Sequence, residues 1–158
     1  MEFQERLDRA IQRGQSAKVE RGREAAARQM TEAELRSLHS KVRLELVEHI
    51  DNCLRAIADR FPGFVFATIA NDDGWGARIS RDDVQFGGGA KTVYSRLEML
   101  VRPFRTAAIV EMVVKGAIRN REVLNRSHFQ RLNQVDTATF MEQVDLWMLE
   151  YAEQFASE

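Results

Sequence analysis

Glu45, His49 and Cys53 stand at i, i+4 and i+8, which places a carboxylate, an imidazole and a thiol on one face of a helix. Such a trio could begin a metal site, or let the imidazole activate the thiol. The pattern has no HExxH or CxxC around it, and neither His39 nor His128 has a ligand-type neighbour at metal spacing. Cys53 also falls on an apolar stripe, where a thiol fills space. The structural reading is preferred, and no metal or cofactor is expected.

Asn71-Asp72-Asp73-Gly74-Trp75-Gly76 gathers oxygen ligands and glycines. A calcium loop wants alternating Asp/Asn and a glutamate at its twelfth position, which Asp82 occupies here, while Trp75 takes a ligand slot. A hairpin turn explains the same residues with less strain on the pattern. Gly87-Gly88-Gly89-Ala90-Lys91-Thr92 has Ala90 where a phosphate loop needs glycine before lysine, and it precedes a strand instead of a helix. The carboxylate pairs Asp72-Asp73 and Asp82-Asp83 are adjacent residues, which point to opposite faces of a strand. There is no GxSxG elbow. No catalytic residue is assigned.

Charge is uneven along the chain. Residues 91–135 hold nine Lys/Arg against three Asp/Glu, whereas residues 136–158 hold six Asp/Glu and no Lys or Arg. A basic sheet face with Tyr94 beside Arg96 could grip a single strand. The opposite balances of adjacent segments instead predict that Arg119, Arg121, Arg126 and Arg131 pair with the acidic tail of the same molecule or a neighbour, which would cancel most of the field.

These residues are positioned by elements that glycine and proline mark out. Seven of the nine glycines and both prolines lie between Pro62 and Gly116. Both residue types interrupt helices and punctuate turns. The chain therefore reads as helical, then β-rich, then helical. Thr31 and Glu34 form a capping box, with Met30 and Leu35 as its staple, and Leu35, Leu38, Val42, Leu46, Ile50, Cys53, Ile57 and Phe61 continue at helical spacing. This predicts a helix over 32–60. Phe64–Ala70, Ala77–Phe86, Thr92–Arg102, Thr106–Lys115 and Glu122–Phe129 then read as strands of a meander with one wet face. Asp136 caps a closing helix whose apolar face is Phe140, Val144, Trp147, Met148, Tyr151 and Phe155.

The fold class expected is α+β: long N-terminal helices, an antiparallel four- to five-stranded β-meander, and a C-terminal helix packed on one face of the sheet. Residues 30–158 are expected to form a single domain. Residues 1–29 form an arm, helical or partly disordered, with Phe3, Leu7, Ile11, Ala17 and Val19 as its apolar groups and Gly14 and Gly22 weakening it.

The chain has 158 residues, a formal net charge of −1 and one cysteine, so a disulfide framework is excluded and a polyanion partner has no support from net charge. Residues 1–30 are charged throughout and contain no apolar core of a signal peptide, and no apolar run of about 18 residues exists. A cytoplasmic protein with no membrane contact is expected. The function expected is a non-enzymatic protein–protein interaction domain, an adaptor or a self-associating module, with a homodimer as its simplest form. Its contact residues would be Phe3, Leu7, Ile11, Trp75, Arg96, Arg119, Arg121 and Arg126. The alternative is a ligand-binding or catalytic pocket between sheet and helices lined by Arg96, Glu98, Glu111 and Arg126. Nucleic-acid binding through the basic 91–135 segment ranks below both.

Overall fold

A computed structural model describes residues 2–28 and 30–158; Met1 and Gln29, the outer residues of the 1–29 arm, lie outside the described residues. The element order is α1 (Phe3–Arg28), α2 (Glu32–Arg60), β1 (Val65–Asn71), β2 (Gly74–Phe86), β3 (Ala90–Val101), β4 (Ile109–Ile118), β5 (Arg121–Arg131) and α3 (Thr137–Ala156). The strands form one antiparallel sheet in the order β1-β2-β3-β4-β5, a five-stranded meander. The fold is α+β, with α2 packed on β1, β2 and β3, α3 on β4 and β5, and the two helices against each other.

Local chemistry sets the helix ends. The Thr31 hydroxyl accepts from the Glu34 N–H at 3.2 Å, and Asp136 accepts from the Ala138 N–H and the Thr139 hydroxyl. From these caps the apolar stripes run inward: Val42, Leu46, Ile50, Leu54 and Ile57 of α2 and Phe140, Val144, Trp147, Met148 and Tyr151 of α3 are buried. They meet Ala77, Ile79, Leu97, Met99, Met112, Val114 and Leu124 of the covered sheet face. Alternation along β3 sends Val93, Ser95, Leu97, Met99 and Val101 toward the helices, and Tyr94, Arg96 and Glu98 to the uncovered face.

β4 begins three residues later than its apolar run suggests, at Ile109 instead of Thr106. Ala108 is held at φ 54°, and its N–H closes a turn on the Arg105 carbonyl at 2.9 Å, so the chain enters the sheet only after it. At the other end, a register shift between Gly116 and Ala117 interrupts pairing with β5. Tyr151 of α3 fills this irregularity: its hydroxyl donates to the Ala117 carbonyl at 2.9 Å, and a Cβ at Gly116 would lie 3.0 Å from the tyrosine ring. The hairpin that follows has Arg119 and Asn120 both at positive φ, the geometry whose twist matches paired strands.

A row of arginines closes the flank of α2. Arg36, Arg43 and Arg55 lie over the rings of Phe104, Trp75 and Phe66 at 4.5, 4.1 and 3.9 Å. His39, on the same helix, is buried and donates its Nε2–H to the Arg102 carbonyl at 3.1 Å, with its ring edge-on to Phe104. Burial holds its pKa below the usual 6.5, and Arg43 pushes in the same direction.

Two expectations follow for stability. Trp147→Ala empties the middle of the α3 stripe and is expected to cost about 3–5 kcal/mol in denaturant melts. The unfolded chain protonates His39 near 6.5, whereas the folded chain refuses that proton until a lower pH. Stability is thus fully present above 6.5 and falls as pH drops through the interval below it, at no more than about 1.4 kcal/mol per pH unit. His39→Gln keeps a donor that does not titrate, so chemical denaturation from pH 7.5 to 5 is expected to show wild type losing ground to this variant.

Candidate functional site

α2 and α3 run side by side, and their contact brings together residues 92 to 96 positions apart in sequence. The His49 Nε2 lies 2.7 Å from the Asp145 Oδ1, and the Cys53 Sγ lies 3.6 Å from each of those atoms. Among the described residues this is the one group of three metal-ligand side chains with mutually close atoms. His49 and Cys53 are half-buried and Asp145 is exposed. The helical spacing read from sequence placed His49 and Cys53 on one face, as observed. Glu45, the third member of that spacing, is exposed, and Asp145 from the other helix stands in the place expected of it.

The trio is not built as a nucleophile relay. A relay needs one imidazole nitrogen on the thiol and the other on the orienting carboxylate. Here a single nitrogen, Nε2, faces both. Burial pushes the Cys53 thiol up to about 11, and the Asp145 carboxylate raises it further through charge and an accepted hydrogen bond. The thiol is therefore protonated at neutral pH.

Beside the trio, Ala56, Ile57, Met148, Leu149 and Ala152 line an apolar groove of about 380 Å³ that Cys53 and Asp145 edge. Leu146 and Leu149 stand exposed on the same outer surface of α3. This surface and α1 are the principal uncovered apolar areas of the helical side. Every described side chain of α1, from Phe3 to Arg23, is exposed, with Phe3 at 75%, Leu7 at 45% and Ile11 at 50%.

The remaining contact residues expected from sequence are not brought together. Trp75 faces the helices and lies half-buried beneath Arg43, so it serves as a lid on the core. Arg96 stands on the opposite, uncovered sheet face. Arg119 sits in the β4–β5 turn, where its N–H donates to the buried Ser95 hydroxyl at 3.0 Å. Arg121 is paired with Glu158, and Arg126 makes a two-pronged bond to Glu150 at 2.8 and 2.9 Å. These last two pairs are part of the neutralisation by the acidic tail that the charge balance predicts. Of the four arginines expected to pair with it, Arg121 and Arg126 do, whereas Arg119 and Arg131 are not in the ion pairs that the tail forms among the described residues.

The pocket imagined between sheet and helices does not gather its four residues. Arg96, Glu98 and Glu111 occupy the uncovered face, because their strand neighbours of opposite parity take the core positions, while Arg126 turns to α3. On the uncovered face Arg78, Glu98 and Lys115 form a cross-strand row of alternating sign, and Arg102 is shared between Asp73 and Glu111. A cleft of about 440 Å³ there is lined by Arg102, Glu111, Lys115 and Arg126. Asn71 to Gly74 is a hairpin turn in which the Asp73 N–H bonds the Asn71 side chain at 2.9 Å. Within β2, Gly76 is required because a Cβ would meet the Met99 carbonyl oxygen at 1.9 Å.

No known protein family, curated protein or solved structure matches this chain. Among the described residues no helix is long and apolar enough to cross a membrane.

Because the thiol is half-buried and its pKa lies near 11, Cys53 is expected to react with thiol reagents at pH 7.5 far more slowly than a free cysteine peptide. A colorimetric time course on native and denatured protein checks this. Labelling as fast as the denatured chain would show a solvent-facing thiolate.

Proposed function

We propose that this protein is a non-enzymatic interaction domain that pairs with a second copy of itself, the apolar stripe of α1 from one copy seating in the α2–α3 groove of the other. The observation that carries the reading is α1 itself: a helix of 26 residues whose Phe3, Leu7 and Ile11 share one face that its own chain leaves uncovered. Full burial of each such side chain contributes about 1.5–3 kcal/mol. The mid-helix Gly14 and Gly22 cost about 1 kcal/mol each relative to alanine. Burial therefore outweighs the glycines, and a docked α1 is stable where an isolated one is marginal.

Composition favours the groove as the acceptor: it is apolar, lined by Ala56, Ile57, Met148, Leu149 and Ala152. Exchange of α1 between two copies makes the same contact twice under two-fold symmetry, which closes the assembly as a dimer.

Light scattering on the full chain and on residues 30–158 tests the pairing. The full chain is expected at twice the monomer mass and the truncated chain at the monomer mass. Leu7→Asp combined with Ile11→Asp is expected to reproduce the truncation while leaving the fold intact by circular dichroism. A monomeric full chain at tens of micromolar, or an equally dimeric truncated chain, would overturn it.

A further inference from the structure

We infer that His49, Cys53 and Asp145 form a binding site for one borderline divalent transition-metal ion of the zinc class. The inference does not depend on pairing between copies. It stands on the distances. A tetrahedral centre with a metal–sulfur bond of about 2.3 Å and metal–nitrogen and metal–oxygen bonds of about 2.0–2.1 Å has sulfur–nitrogen and sulfur–oxygen edges of about 3.5–3.6 Å. The Cys53 sulfur stands 3.6 Å from the His49 Nε2 and 3.6 Å from the Asp145 Oδ1. Two of the three edges therefore already have the required length.

The third edge is the 2.7 Å hydrogen bond between His49 and Asp145. It must open by about 0.6 Å to reach the tetrahedral value of about 3.3 Å. Asp145 supplies that motion, since its side chain is 52% exposed and it projects from the outer surface of α3. The convergence of one nitrogen, one sulfur and one oxygen on a common point is what a cation needs. It is also what a catalytic relay lacks, since that would use both imidazole nitrogens.

The donor set selects the ion. A thiolate and an imidazole disfavour magnesium and calcium, which take oxygen ligands, while the carboxylate is compatible with zinc, cobalt(II) and nickel(II). Binding requires the Cys53 S–H to ionise, its proton passing to water as the sulfur–metal bond forms. Three protein ligands leave a fourth position, which water fills from the groove side. The ion would also tie α2 to α3, because His49 and Cys53 belong to one helix and Asp145 to the other.

Cobalt(II) chloride titrated into the full-length, reduced protein under anaerobic conditions tests the site directly. Saturation is expected at one cobalt per chain, with a thiolate-to-cobalt charge-transfer band and the strong visible bands of a tetrahedral centre, both bleached by one equivalent of zinc. Cys53→Ser is expected to abolish the charge-transfer band. His49→Gln and Asp145→Asn are each expected to weaken binding by more than the roughly 10–100-fold that loss of an outer hydrogen-bond partner costs. Glu45→Gln, one helical turn from His49, is expected to bind as wild type does. Circular dichroism confirms that each variant is folded. A wild-type chain with no charge-transfer band, a band that survives Cys53→Ser, or affinity indifferent to Asp145→Asn would overturn the assignment.

Discussion

The contact between Tyr151 and the β4–β5 irregularity anchors α3 on the sheet. The absent side chain at Gly116 lets the tyrosine ring press against β4, and the shifted register frees the Ala117 carbonyl that its hydroxyl captures. An unpaired carbonyl at this depth would cost about 1–3 kcal/mol, so the contact is directional as well as apolar. Tyr151 thereby fixes a point of α3 on the sheet. Asp145 lies six residues before Tyr151, about 9 Å along the helix axis, and this brings it level with His49 and Cys53 of α2. The trio is thus a consequence of how α3 crosses the sheet.

The two faces of the sheet divide the charge in different ways. On the helical side, arginines are used against aromatic rings and against the acidic helix: Arg43 on Trp75, Arg55 on Phe66, Arg126 with Glu150. Long side chains of this kind cover apolar edges while their guanidinium groups stay near water. On the uncovered side, the cross-strand row of Arg78, Glu98 and Lys115 alternates in sign, so neighbouring charges attract. Within the segment that is basic in sequence, Arg102, Arg105, Arg121 and Arg126 each have an acidic partner.

The groove between α2 and α3 links the two proposals without making one depend on the other. Its floor is apolar, which suits a helix stripe, and its rim holds Cys53 and Asp145, which suit a cation. An ion joining the two helices would hold the groove walls at fixed separation and so preorganise the surface for a docking helix.

Much of the architecture was legible from local signals. The capping residues Thr31 and Asp136, the stripes at steps of three and four, the alternation of β3, and the clustering of glycine and proline all act over a few residues, and each placed its element correctly. Within the candidate site, the same local rule placed His49 and Cys53 on one helix face. It could not supply Asp145, which lies 92 positions from Cys53 and reads in sequence as one solvated acid among several on α3. Nor could it distinguish the two sheet faces, so the alternative reading placed Arg96, Glu98 and Glu111 in a pocket beneath the helices although they lie on the far side. Periodicity states which residues share a face of their own element. Which face another element covers, and which side chains from distant segments then converge, is decided by packing: the burial of α2 and α3 on one side of the sheet, and the contact between Tyr151 and Gly116.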